Sequence, residues 1–249
     1  MMPIITDPWF YAAAIPAVFL TGLSKSGFAT GIGSLSVPLL ALTISVPQAA
    51  AVMMPLLLLA DLIGLRMFRG EFDAKLLRFF LPFGLLGVLV GTVTFKLLSA
   101  HLVAGCVGAF TLLFLAQRLF FPPKVNANPP PRWLGAILIT LSGFTSFIAH
   151  AGNPPINAYV LPLKLKPVVF AATMAYFFFA INLSKWIPYA YLGLLDMQNF
   201  WTALVLMPMA GLGVWAGRAM SVRMSPTMFY RLIYAGMFLS GSKLLCDAF

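Results

Sequence analysis

Long apolar runs, interrupted by glycine, proline and small groups of charge, divide this chain into ten segments. In the first half they cover 9–24, 27–44, 46–68, 73–99 and 102–121, and in the second half 132–149, 151–163, 167–190, 196–223 and 226–246. The runs 97–121 and 167–191 are nearly apolar all round, whereas a helix on the surface of a water-soluble protein keeps a polar face. Segments of this kind belong in lipid, and the pattern predicts an all-α integral membrane protein. The proline-rich stretch 122–131 (PPKVNANPPP) reads as a linker inside one membrane domain, with repeats at 1–121 and 132–249 on either side.

The two halves match in residues as well as in the order of segment lengths. GLSKSGFATGIGSLSVPLLAL from Gly22 aligns with GFTSFIAHAGNPPINAYVLPL from Gly143, which sets Gly31 on Gly152, Ser36 on Asn157 and, further on, Asp61 on Asn182. PFGLLGVLVG from Pro82 aligns with PMAGLGVWAG from Pro208, so Gly87 and Gly91 fall on Gly213 and Gly217. A duplicated unit therefore covers almost the whole chain. These four glycines form small-xxx-small pairs, for which close helix packing in lipid is sufficient reason.

Composition agrees with the pattern: 61% of the residues are hydrophobic and 9% are charged, and a water-soluble core would not absorb that much apolar surface. The net charge of +10 does not point to nucleic acid, because the basic residues stand singly between apolar runs and form no contiguous basic face. Their placement reports topology instead. Arg66, Arg69, Lys75 and Arg78 bracket the loop after the third segment and put it in the cytoplasm. Counting spans from there places Arg118, Lys124, Arg132, Lys164, Lys166, Arg218, Arg223 and Arg231 on the same side, with Lys96, Lys185 and Lys243 on the other. The second half thus starts from the opposite face, the repeats are inverted, and both termini are expected in the periplasm. Segments 9–24 and 151–163 are short against the ~20 residues of a full span. In each repeat, the first pair is either a re-entrant hairpin of half-helices, a broken helix, or a pair of thin crossings, with three transmembrane helices following. The start of the chain lacks a basic n-region and reads as a first helix, not a cleaved leader. Cys106 and Cys246 have no paired spacing and are expected to be small buried thiols, with no disulfide framework, metal site or cofactor.

Irregular backbone at membrane depth survives where protein or a watery cavity surrounds it, so the two breaks mark a cavity. The free N–H groups at half-helix ends favour an anion there. The first break offers Ser24, Lys25, Ser26, Gly27, Thr30 and Gly31, which combine a cation, hydroxyl donors and glycines that let backbone approach a ligand. The second offers His150, Gly152, Asn153 and Asn157 around Pro154 and Pro155. Lys25 could instead snorkel at the interface, and His150 could be a satisfied interfacial histidine. Asp61, inside LLLLADLIGL, is the acidic residue set deep in an apolar run. It is the best candidate for proton coupling, against a structural hydrogen bond or a pair with a neighbouring Lys or Arg. Asn182, its counterpart, could not take the proton. Lys185 could support the anion path, but snorkelling beside Trp186 is the plainer expectation.

GFATGIGSLSVPLLAL and GFTSFIAHAGNPP, each opening one half, resemble the paired glycine-rich signatures of the sulfite exporter TauE/SafE family along nearly the whole chain. Ala29, Thr30, Ile32 and Ser34 interrupt the first signature's run of glycines, and Asn153 stands at a usual glycine of the second. The resemblance implies export of sulfite or related organosulfur anions, such as sulfonates, across the bacterial inner membrane. The residues by themselves reach only a small anion carried by a proton-coupled transporter or a channel, with the lipid bilayer as surroundings and a homo-oligomer left open. An enzyme would need a nucleophile with its base or a metal cluster, and two His, two isolated Cys and one buried Asp supply neither arrangement.

Overall fold

The computed structural model describes residues 4–25, 32–67, 69–95, 97, 99–120, 130–163 and 165–221, with isolated positions between 231 and 248. Helix α1 (Pro8–Lys25) precedes a 3₁₀ turn (Ile32–Leu35) that runs into α2 (Ser36–Leu40), followed by α3 (Val46–Met67), α4 (Ala74–Thr94) and α5 (Ala100–Phe120). The second half contains α6 (Arg132–Ala149), α7 (Asn153–Val160) with a 3₁₀ turn (Leu161–Leu163), α8 (Pro167–Ser184), α9 (Trp186–Tyr191) and α10 (Met197–Ser221). No strand occurs among the described residues. Among the described residues, five stretches are long and apolar enough to cross a bilayer: Val46–Met67, Ala74–Thr94, Arg132–Ala149, Val168–Tyr191 and Met197–Gly217.

Apart from 226–246 and the start of 27–44, which lie largely outside the described residues, the predicted segments correspond to these helices, with two differences. The first is a break at Lys185 within the expected 167–190 run. Pro188 has no N–H to give the Ser184 carbonyl and its ring crowds that oxygen, so the helix restarts as α9. The Ser184 hydroxyl turns back to donate to the Ile181 carbonyl (2.8 Å). The second concerns span length. Helix α1 has 18 residues, about 27 Å at ~1.5 Å per residue and close to the ~30 Å hydrocarbon core. The half-length pieces are α2 and α7, of five and eight residues.

The turn between α6 and α7 follows from local chemistry. His150 caps α6 in the left-handed conformation (φ 51°, ψ 24°). The amides of His150 and Ala151 donate to the carbonyls of Ser146 (3.1 Å) and Thr145 (3.2 Å), closing the helix end in a left-handed cap at a position that ordinarily uses glycine. Pro154 and Pro155 then sit in the first turn of α7, where a missing N–H costs no helix bond. The Ser142 hydroxyl donates to the Gly152 carbonyl (2.6 Å) and that of Thr145 to Ala151 (3.0 Å), tying the irregular stretch back to α6.

Two glycine-lined crossings set the helix arrangement: α1 lies along α10 and α4 along α6. A Cβ on Gly22 would stand 2.3 Å from the Ala210 carbonyl oxygen, and one on Gly213 2.3 Å from that of Phe19. At the other crossing, a Cβ on Gly87 would stand 2.0 Å from the Thr140 oxygen and one on Gly143 2.0 Å from that of Gly84. Backbone meets backbone at both places, which is how apolar helices gain contact when lipid supplies no hydrophobic drive between them. Between the crossings, α3 and α8 pack together, with Phe80, Phe147, Phe177 and Tyr189 fully buried.

The outer surface carries Trp9, Leu113, Ile187 and Trp215, all exposed, as a lipid-facing surface requires. Cys106 and Cys246 are exposed as well, contrary to the expectation of buried thiols. Both lie on outward faces of the bundle, and a thiol is apolar enough to face lipid. Most of the linker, and most of 222–249, lies outside the described residues.

Gly143→Ala should destabilise the protein by about 1–3 kcal/mol through overpacking. Gly211→Ala, where a Cβ meets nothing within 4 Å, should be neutral or stabilising. Thermal unfolding in detergent measures both, and equal midpoints would contradict the close-crossing account.

Candidate functional site

Asp61 lies on α3 with its carboxylate sealed from solvent (1% exposed). An ionised group at this depth needs partners from its neighbours. Its Oδ1 pairs with the Lys25 ammonium, and its Oδ2 accepts from Asn182 Nδ2 at 2.6 Å. Lys25 is the last residue of α1, so its cation also faces the helix's negative C-terminal end. Its stem runs under Phe178, with Nζ 5.2 Å from the ring centroid. The three side chains join α1, α3 and α8 in a chain of charge-assisted bonds.

A cavity of about 30 Å³ borders this cluster, lined by Ser24, Lys25, Asp61, Gly64, Asn153 and Phe178, with alanines and Met174 completing the wall. The volume suits an atom group of water size, or a small oxyanion after modest side-chain movement. Its polar lining residues are Ser24, Lys25, Asp61 and Asn153.

A second buried cluster lies one helical turn along α8. Lys185, fully buried, donates to the Ser146 carbonyl (2.8 Å), the Ser146 hydroxyl (2.8 Å) and His150 Nδ1 (3.0 Å). His150 Nε2 lies 2.9 Å from the Ala50 carbonyl oxygen. That oxygen can only accept, so Nε2 carries the hydrogen and Nδ1 is the acceptor facing Lys185. These contacts hold His150 in its left-handed backbone conformation. The Tyr189 hydroxyl donates to the Phe147 carbonyl (2.6 Å) and its ring stacks on His150.

Of the residues expected from the sequence, Ser24, Lys25, Asp61 and Asn153 border the cavity, and Asn182 braces the carboxylate from behind. Asp61 has both the Lys pair and the hydrogen bond that stood as the structural alternative to proton coupling, and Lys25 is mostly buried in that pair. The snorkelling expected of Lys185 is not what occurs. The α8 break turns its side chain inward to Ser146 and His150. His150 is buried in that second cluster. Gly152 has a packing reason, since a Cβ there would meet Phe178, Ser142 and Ser146 at 2.8 Å. Asn157 is buried on α7 and does not border the cavity. Ser26, Gly27, Thr30 and Gly31 lie outside the described residues. Sequence reasoning missed Ser146, Gly64 and Phe178. The offset that sets Asp61 on Asn182 also sets Lys25 on Ser146 and Gly64 on Lys185, and that signal was available.

The family model for Sulfite exporter TauE/SafE matches residues 14–244. The chain belongs to the sulfite exporter TauE/SafE family. No match was found among curated proteins or among solved structures. The matched region takes in every residue of both clusters, so this TauE/SafE protein carries its buried charges within the family's own extent and not in an appended segment.

Replacing Asp61 alone with Leu should cost about 3–5 kcal/mol, because the Lys25 ammonium is left without its counter-charge. Lys25→Met with Asp61→Leu should recover most of that loss. If the double variant unfolds as early as Asp61→Leu, the two side chains do not act as a pair.

Proposed function

We propose that this protein is a secondary transporter that exports a small anion, sulfite or a related organosulfur anion such as a sulfonate, across the bacterial inner membrane. The observation that carries this reading is the Lys25–Asp61–Asn182 cluster beside a cavity among membrane-capable helices. A buried ion pair is a poor stabiliser compared with packed apolar groups, so its presence argues for work beyond folding. The family supplies sulfite as the substrate to test first.

Alternating access is the proposed mechanism, with the two halves as inverted repeats. The packing supports this in a particular way. In the sequence alignment Gly22 matches Gly143 and Gly213 matches Gly87, and the close crossings are Gly22 with Gly213 and Gly143 with Gly87. Asp61 and Asn182, also equivalent, bond to each other, as residues near a pseudo-two-fold axis would. The basic loops support a cytoplasmic α3–α4 connection and periplasmic termini.

Proton coupling follows from competition. The anion and the Asp61 carboxylate seek the same Lys25 ammonium, so a proton on Asp61 releases the cation for the substrate. Asp61 is then the coupling residue and Lys25 the binding residue.

Sulfite flux into proteoliposomes, with and without an imposed pH gradient, tests this. The unaltered protein should respond to the gradient, and Lys25→Ala should lose at least about tenfold of the flux, the worth of one charge-assisted contact. Asp61→Asn should still pass sulfite but no longer respond to the gradient. Full, gradient-driven flux in both variants would sink the site assignment, and gradient-independent flux in the unaltered protein would indicate a channel.

A further inference from the structure

We infer that Lys185, with Ser146 and His150, is a second anion-binding position, the counterpart of Lys25 for the opposite face of the membrane; this rests on the transporter reading above. Lys185 is fully buried, and its three bonds go to a carbonyl, a hydroxyl and an imidazole. No carboxylate stands among these partners, whereas Lys25 has Asp61. A lysine sealed among neutral partners holds a charge only at high cost, and a small anion bound beside it would supply the missing counter-charge.

The repeat explains why it stands there. Lys25, on α1, lies against Gly64 on α3, where an added Cβ would come within 3.4 Å of the Lys25 carbonyl oxygen. The equivalent positions are Ser146 on α6 and Lys185 at the end of α8. They are in contact through two hydrogen bonds. Each half therefore contributes one buried ammonium at the same place between equivalent helices, carried by the first helix of the pair in one half and by the second in the other. Asp61 bonds to its own counterpart Asn182, one turn before Lys185 on α8, and so sits between the two cations.

The two positions differ in access. Lys25 lines the cavity, while Lys185 is fully buried and does not border it. Inverted repeats alternate by exchanging the conformations of their halves. That exchange closes the cavity at Lys25 and opens its equivalent at Lys185, where the ammonium and the Ser146 hydroxyl can turn to a small oxyanion such as sulfite. The ligand class at both positions is the same, and each cation serves one face.

Sulfite transport measured separately from each face, in proteoliposomes of established orientation, decides the matter. Lys185→Gln should raise the half-saturating sulfite concentration about tenfold or more at the face nearer the α8–α9 junction, and leave it within about twofold at the other face. Lys25→Gln should give the reverse. A change of equal size at both faces, or at neither, would overturn the inference. Should Lys185→Gln fail to fold, Ser146→Ala makes the same face-specific comparison, and a symmetric effect there overturns the inference equally. An absence of sulfite flux in the unaltered protein would remove the transporter reading and this inference with it.

Discussion

An ammonium buried inside a membrane protein must find its counter-charge and its hydrogen-bond acceptors within the protein, because water does not reach it. This chain does so twice, at Lys25 and at Lys185. Much of the architecture serves these two groups. Helix α1 ends where Lys25 can reach Asp61, α8 breaks where Lys185 can turn inward, and the left-handed turn at His150 presents an imidazole nitrogen and leaves the Ser146 carbonyl beside it.

The glycine crossings make that arrangement possible. By bringing α1 onto α10 and α4 onto α6 at backbone contact, they leave α3 and α8 facing each other across the middle. Asp61 and Asn182 then meet there without intervening side chains, at 2.6 Å. Packing of this kind resists single substitutions, yet helices related by smooth glycine faces can also slide or rock. The same contacts that fix the clusters in one state are compatible with the movement that alternating access asks of them.

Most helix boundaries were legible because Gly, Pro and charge punctuate apolar runs, and lipid leaves few other reasons for such punctuation. Gly87 and Gly213 were legible as packing residues for the same reason, whereas Gly22 and Gly143 stood only at the start of the aligned stretches, and which glycine meets which depends on tertiary structure. Asp61 stood out because a carboxylate in LLLLADLIGL needs a partner or a proton, and Asn182 followed through the repeat. Lys185 was misread as snorkelling because Trp186 beside it is an interfacial residue type. The inward turn depends on the break created by Pro188, and on Ser146 and His150 waiting across a gap of 39 and 35 positions. Long-range partners of that sort leave no local pattern. Gly152 and Asn157 were chosen for polarity or flexibility near a break, where the structure gives Gly152 a steric role and sets Asn157 away from the cavity.

The central claim is that a small oxyanion takes Lys25 from Asp61 inside the membrane. The most direct measurement is a crystal structure with selenite in place of sulfite, whose selenium can be located by its anomalous scattering. The account predicts a selenium peak in the cavity with a selenite oxygen within hydrogen-bonding distance of Lys25 Nζ, ~3 Å, and the Asp61 carboxylate drawn away from that ammonium. Selenite bound elsewhere, with the Lys25–Asp61 pair intact, would contradict it.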